Sequence, residues 1–296
     1  MIETQHVPEP INAAGVRATY TNEKYGSHER NIFDIWLADS DEPTPLVIYI
    51  HGGGFIGGDK SRYYDSEDWV RFLDAGVSVA SINYRFMNQA PFGILACMND
   101  SKRCLQYIRY NAAKYNIDSK RIACSGGSAG AGTSLWLAFS DDMADGNNSD
   151  PVLRESTTIS CAGAFATQST YDILRWAELL NLPINQSPEE MQVIAHAFGL
   201  KSAEGIDLFQ QTEIREELDF LEKMNSTAAP FFVYNRREGG IPANEDELQH
   251  HPLHAKRLKQ QAEKVGAEAI VYAPAIGIVD KSGIDLVEFF LEKLKK

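Results

Sequence analysis

No apolar run in this 296-residue chain approaches the ~20 residues that a membrane-spanning helix needs. Its opening Met1-Ile-Glu-Thr-Gln-His lacks the basic and apolar regions of a secretory leader, so the cytoplasm is the expected compartment. Basic residues are scarce: 28 Lys and Arg against 41 Asp and Glu leave a net charge of -13. Such a surface argues against nucleic acid or an anionic membrane as partner. Cysteines number four and show no C-x-x-C spacing. Cys97, Cys104, Cys124 and Cys161 each lie in an apolar segment, which reads as buried thiols rather than a disulfide or metal site. Internal repeats and low-complexity linkers are absent too, so 1–296 reads as a single domain.

What the chain does have is glycine in two places that matter. His51-Gly52-Gly53-Gly54-Phe55 follows the apolar strand Leu46–Ile50, and Gly126-Gly127-Ser128-Ala129-Gly130 follows the short apolar run Arg121–Cys124. The second has the G-x-S-x-G pattern between a strand and the helical segment Ala131–Phe139, the setting of a nucleophile elbow. Small flanking residues let the serine sit on a strained turn with its hydroxyl exposed. The N–H of Ala129, at a helix start, is placed to meet a carbonyl oxygen under attack. Gly53 and Gly54 are the expected further donors to that oxyanion, because backbone without side chains can approach closely. His51 is expected to serve the architecture of this loop.

These motifs resemble the α/β-hydrolase superfamily, and within it the HGGG-type esterases and lipases related to hormone-sensitive lipase. The resemblance extends to Val77–Arg85, ending in Asn83-Tyr84-Arg85, and to Ile117-Asp118 before the nucleophile strand. It departs at Gly127, where many relatives carry an acidic residue, and at Ala131, where glycine is commoner. The implied fold is a mostly parallel central sheet flanked by helices, with a helical cap inserted before the acid-bearing strand. Alternating apolar strands and longer helical patterns favour the same architecture. Gly15–Asp39 reads as an antiparallel pair at the start, Ile159–Ala166 as a further strand, and Val287, Phe290, Leu291 and Leu294 mark a terminal helix. The cap is expected over approximately 167–225, with helices at Tyr171–Leu180, Glu189–Phe198 and Glu213–Met224. Trp176, Met191 and Phe198 are candidates to line its pocket or to form its own core.

The resemblance implies a serine, histidine and acid triad. Laying the family pattern over Pro230–Pro242 puts Glu238 at the acid position after the strand Pro230–Tyr234, with Asn235 where the family has glycine. The base is harder to place. In most of the family it lies after the final strand, here Glu268–Tyr272, but Ala273–Gly283 contains no histidine. The nearest candidates stand upstream in Gln249-His250-His251-Pro252-Leu253-His254, before a helix that begins near Ala255. Three readings compete: His251, with His250 as the alternative, serves as base in an altered chain order; the base has been lost; or Asp280 or a water assists Ser128.

The expected activity is carboxylic-ester hydrolysis of short- to medium-chain esters through an acyl-enzyme, with an amidase or peptidase as a lesser alternative. A binding protein on the same fold, lacking the usual late histidine, is the reading of a different class. The implied partner is a small-molecule ester, no metal or organic cofactor is implied, and self-association as a homodimer stays open.

Overall fold

Eight segments with strand-forming sequences assemble into one sheet: β1 (Tyr20–Lys24), β2 (Ile32–Trp36), β3 (Thr44–Ile50), β4 (Ser78–Ile82), β5 (Ile117–Gly127), β6 (Ala162–Phe165), β7 (Phe231–Tyr234) and β8 (Ala269–Tyr272). The computed structural model describes residues 8–89, 91, 93–182, 187–206 and 213–295. Met1–His6, read from sequence as lacking the regions of a secretory leader, therefore lies outside the described residues, as do 183–186 and 207–212 of the expected cap.

The strand order is β1-β2-β4-β3-β5-β6-β7-β8. β1 pairs antiparallel with β2 and β2 with β4, whereas β3 to β8 run parallel. Every residue of β3 and of β4 is buried, as expected of central strands covered on both faces. The two serines of β4 are tolerated because each finds a partner. Ser78 Oγ lies 2.7 Å from Thr44 Oγ1, and Ser81 Oγ donates to Lys60 O at 2.6 Å.

Ten described helices cover this sheet. On one face α1 (Glu67–Asp74) supplies Trp69 and Phe72, which meet the terminal α10 (Leu286–Leu294), with the Phe72 and Phe290 rings 5.9 Å apart. The other face carries α2 (Gly93–Tyr110), α3 (Ala129–Phe139) and α9 (Pro252–Val265). Cys97, Cys104 and Ile108 form the buried stripe of α2, and all four cysteines are free and buried. Burial pushes the Cys97 and Cys124 thiols up to about 12, so neither supplies a thiolate at neutral pH.

Between β6 and β7 the chain forms α4 (Trp176–Leu180), α5 (Pro188–Ala197), α6 (Glu213–Leu218) and α7 (Phe220–Lys223). The expected helix from Tyr171 starts only at Trp176, after a 3-10 turn at Ile173–Arg175. Tertiary contacts override periodicity there: Tyr171 Oη donates to Ala129 O at 2.5 Å, and Asp172 is bound by Arg215. The segment Glu213–Met224 is likewise broken, at Asp219. The remaining helix, α8 (Glu245–Gln249), has no counterpart in the apolar pattern of the sequence.

Candidate active site

β5 delivers Ser128 at the turn into α3, with φ 51° and ψ -117°, a left-handed conformation that side chains seldom adopt. The packing of the two flanking glycines explains how the turn survives. A Cβ on Gly130 would stand 1.9 Å from Ile50 O, and one on Gly126 2.4 Å from the same oxygen. Only glycine lets the nucleophile turn press against the end of β3. Gly127, in contrast, faces the Tyr63 hydroxyl, which would lie 3.1 Å from an added Cβ.

β3 ends at the glycine loop. Gly53 and Gly54 have φ of +117° and +58°. Gly53 O accepts from the N–H groups of Ile56 and Gly57, both at 3.1 Å, which closes the loop and leaves the N–H groups of Gly53 and Gly54 without an acceptor among the described residues. The N–H of Ala129 is likewise free at the start of α3. His51 is buried beneath this loop, stacked on Tyr84 with ring centroids 4.3 Å apart. Its Nδ1–H donates to Gly52 O at 2.8 Å, and Nε2 faces Arg30 Nη2 at 3.3 Å. Burial lowers His51 to about 4, so it is a neutral structural residue that holds the loop.

The structure brings His250, the alternative candidate, rather than His251 to the serine. His250 Nε2 lies 2.8 Å from Ser128 Oγ. On the far side of the ring, Nδ1 stands 2.9 Å from both the main-chain oxygen and Oδ1 of Asp246, with the N–H aimed at the main-chain oxygen. Asp246 precedes His250 by four residues, so α8 places the two side chains on one face. Asn244 caps this short helix, its Oδ1 accepting the Glu247 N–H at 2.9 Å. Asp246 is more than half exposed, and its other oxygen meets Arg237 at 3.3 Å.

The two other histidines of the cluster turn elsewhere. His251 caps α9, accepting the Leu253 N–H on Nδ1 at 3.2 Å and donating from Nε2 to Gly240 O at 3.0 Å. His254 is fully buried, with Nδ1 accepting from the Ser169 N–H at 3.1 Å and Nε2–H donating to Leu248 O at 3.2 Å. Burial lowers it to about 3. Glu238, expected at the acid position, is exposed, with no histidine in hydrogen-bond reach among the described residues. It borders a separate polar groove with Arg236, Arg237 and His251. Asp280 is half-buried and is engaged by the Ser282 N–H within its own turn.

An open cleft leads to Ser128, lined by Gly54, Phe55, Ala129, Tyr171 and Trp176. A second lobe continues past Trp176 to Glu190, Ile194 and Leu248. Trp176 is thus a wall of the cleft, while Met191 and Phe198 pack into the core beneath it. Among the described residues no group of three His, Cys, Asp or Glu side chains could hold a metal ion, and no helix is long and apolar enough to cross a membrane.

Several known proteins are similar to this chain in sequence or in shape. Esterase LipQ of Mycobacterium tuberculosis is 27% identical over 180 residues, covering 58% of this chain and 40% of LipQ. The probable carboxylic ester hydrolase LipM of the same organism is 24% identical, covering 91% of this chain and 58% of LipM. The chain thus spans less than two thirds of the length of these relatives. A truncated carbohydrate esterase from gut microbiota has a TM-score of 0.73 at 19% identity, covering 98% of this chain and all of that one. The fold is therefore the α/β-hydrolase fold. The BD-FAE family model matches residues 33–216, well over half of the sequence, and the chain belongs to the BD-FAE family.

Proposed function

We propose that the chain is a carboxylesterase working through a serine acyl-enzyme, with Ser128 as nucleophile, His250 as base and Asp246 as its orienting acid. The single observation that carries this reading is the 2.8 Å approach of His250 Nε2 to Ser128 Oγ. Serine needs such a base because its hydroxyl is a poor nucleophile at neutral pH. As Oγ attacks the ester carbonyl, its proton passes to Nε2, and the imidazolium that forms is steadied on Nδ1 by the main-chain oxygen and Oδ1 of Asp246. The N–H groups of Gly53, Gly54 and Ala129 receive the oxyanion, where each donor is worth about 3 kcal/mol in the transition state. His250 then gives the proton to the departing alkoxide. Water attacks the acyl-serine with His250 again as base, releasing the acid and restoring Ser128.

Membership of the BD-FAE family and the esterase names of its relatives support ester hydrolysis as the reaction class. The apolar walls of the cleft suit a small neutral ester with a short to medium acyl chain. The segments between β6 and β7 act as the cap that shapes this cleft. A binding role without turnover is disfavoured because a histidine stands in contact with the nucleophile.

The test is release of p-nitrophenol from p-nitrophenyl acetate and butyrate. Activity should vanish in Ser128→Ala and fall by roughly a thousandfold or more in His250→Ala, but persist in His251→Ala. An active His250→Ala variant, or an inactive parent chain, overturns the reading.

A further inference from the structure

His250 stands at the end of a five-residue helix, a length that has no stability of its own in water. Its ring must therefore be held in place from outside the helix. The residue that holds the main chain of His250 itself is Asn235, at the end of β7, only 1% exposed. Its main-chain N–H donates to Tyr272 O at 2.8 Å, which fastens it to the sheet. Its side-chain Nδ2 donates to the carbonyl of His250 at 3.0 Å. Its Oδ1 accepts the N–H of Arg237 at 2.8 Å, and the Arg237 guanidinium meets Asp246 at 3.3 Å. The amide orientation is fixed by chemistry, since a carbonyl requires a donor and an N–H requires an acceptor. A single buried amide thus ties the main chain of the base to the sheet and anchors the cation that faces the acid.

We propose that Asn235 is a positioning residue that sets His250 and Asp246 for proton transfer without touching substrate. This rests on the Ser128–His250–Asp246 reading. The Asn235 side chain spends both its donor and its acceptor on the two segments that carry the pair. A shift of the ring by about an ångström lengthens the 2.8 Å contact to Ser128 and costs on the order of a hundredfold in rate. Substrate binding, which depends on the cleft walls, is untouched.

The experiment is a double-mutant cycle on p-nitrophenyl acetate hydrolysis, using Asn235→Ala, His250→Ala and the double variant, with folding checked by circular dichroism. Asn235→Ala is expected to lower kcat by about tenfold to a hundredfold while KM stays close to the parent's. In the His250→Ala background the same change should cost nothing further, because the group it positions is gone. Should Asn235→Ala fail to fold, Asn235→Asp replaces it: the same shape can still accept from Arg237 but cannot donate to the His250 carbonyl. Full activity in the Asn235 variant beside an inactive His250→Ala overturns this inference and leaves the triad standing. Equal losses in both backgrounds also overturn it, since they mark a general packing role. Full activity in His250→Ala overturns both readings.

Discussion

Asp246 in α8 and His250 at the C-cap of that helix lie one helical turn apart, and the Nδ1 of His250 meets the main-chain oxygen and the carboxylate of Asp246 at 2.9 Å. A carboxylate and an imidazole contributed by one turn need no long-range loop to align them. The imidazole receives part of its support from a carbonyl that mutation of the side chain cannot remove.

A graded response to loss of the acid is therefore expected. Asp246→Asn should lower kcat by roughly tenfold to a hundredfold, less than removal of His250, because the main-chain oxygen still accepts the Nδ1–H and the lost carboxylate was well exposed. A loss equal to that of His250→Ala would mean that the carboxylate alone orients the ring. Steady-state kinetics on p-nitrophenyl acetate decides between the two.

His251, although adjacent, should behave as a structural residue. His251→Ala removes the cap of α9 and the link to Gly240, at a cost of about 1 kcal/mol in stability. Denaturant unfolding should show that loss while kcat stays near the parent value.

Two buried histidines make the fold sensitive to acid. In the folded chain His51 is lowered to about 4 and His254 to about 3, below the ordinary value of 6.5. The unfolded chain therefore takes up more protons as pH falls below 6.5, and each histidine withdraws stability progressively down to its folded value. Between pH 7 and pH 5 the loss amounts to about 2 kcal/mol per histidine. Thermal unfolding across this range should show the slope, and His254→Gln should flatten it. An unchanged slope in that variant would show that His254 is not held neutral.

The cleft should discriminate by charge. Glu190 and Glu245 border its second lobe, and among the described residues no lysine or arginine lines either lobe. Esters bearing a carboxylate should be poorer substrates than neutral ones of equal size, and Glu245→Gln should improve their kcat/KM by a few-fold, the scale of a partly screened charge. No change in the ratio of anionic to neutral substrates would count against the lobe as their binding place.

Ser128 was legible from sequence because its strained turn leaves a mark: Gly126 and Gly130 are the residues that can pack against Ile50 O. Strands β3 and β4 were legible as continuous apolar runs, and α2 and α10 as apolar stripes. Which of the clustered histidines meets Ser128 was not, and the reason is physical. The helix that carries it is short and polar and has no apolar stripe to betray it, so 245–249 reads as loop. His250 and His251 are neighbours, and which one faces Ser128 depends on how α8 ends, 122 residues away in sequence from the serine. Glu238 was reached by aligning a family pattern across a loop whose turn is set locally, by Asn235 accepting the Arg237 N–H.

The histidine-free loop after β8 closes on itself through the Ala273 and Ile278 bridge. Every group assigned to chemistry stands at or before His250, so the loop carries no reactive side chain. New chain ends opened near Val279, which is exposed, would separate β8 from α10 without dividing the reactive groups between the ends of the new chain. The loop is thus a place where the backbone can be opened without cutting between the groups proposed to act.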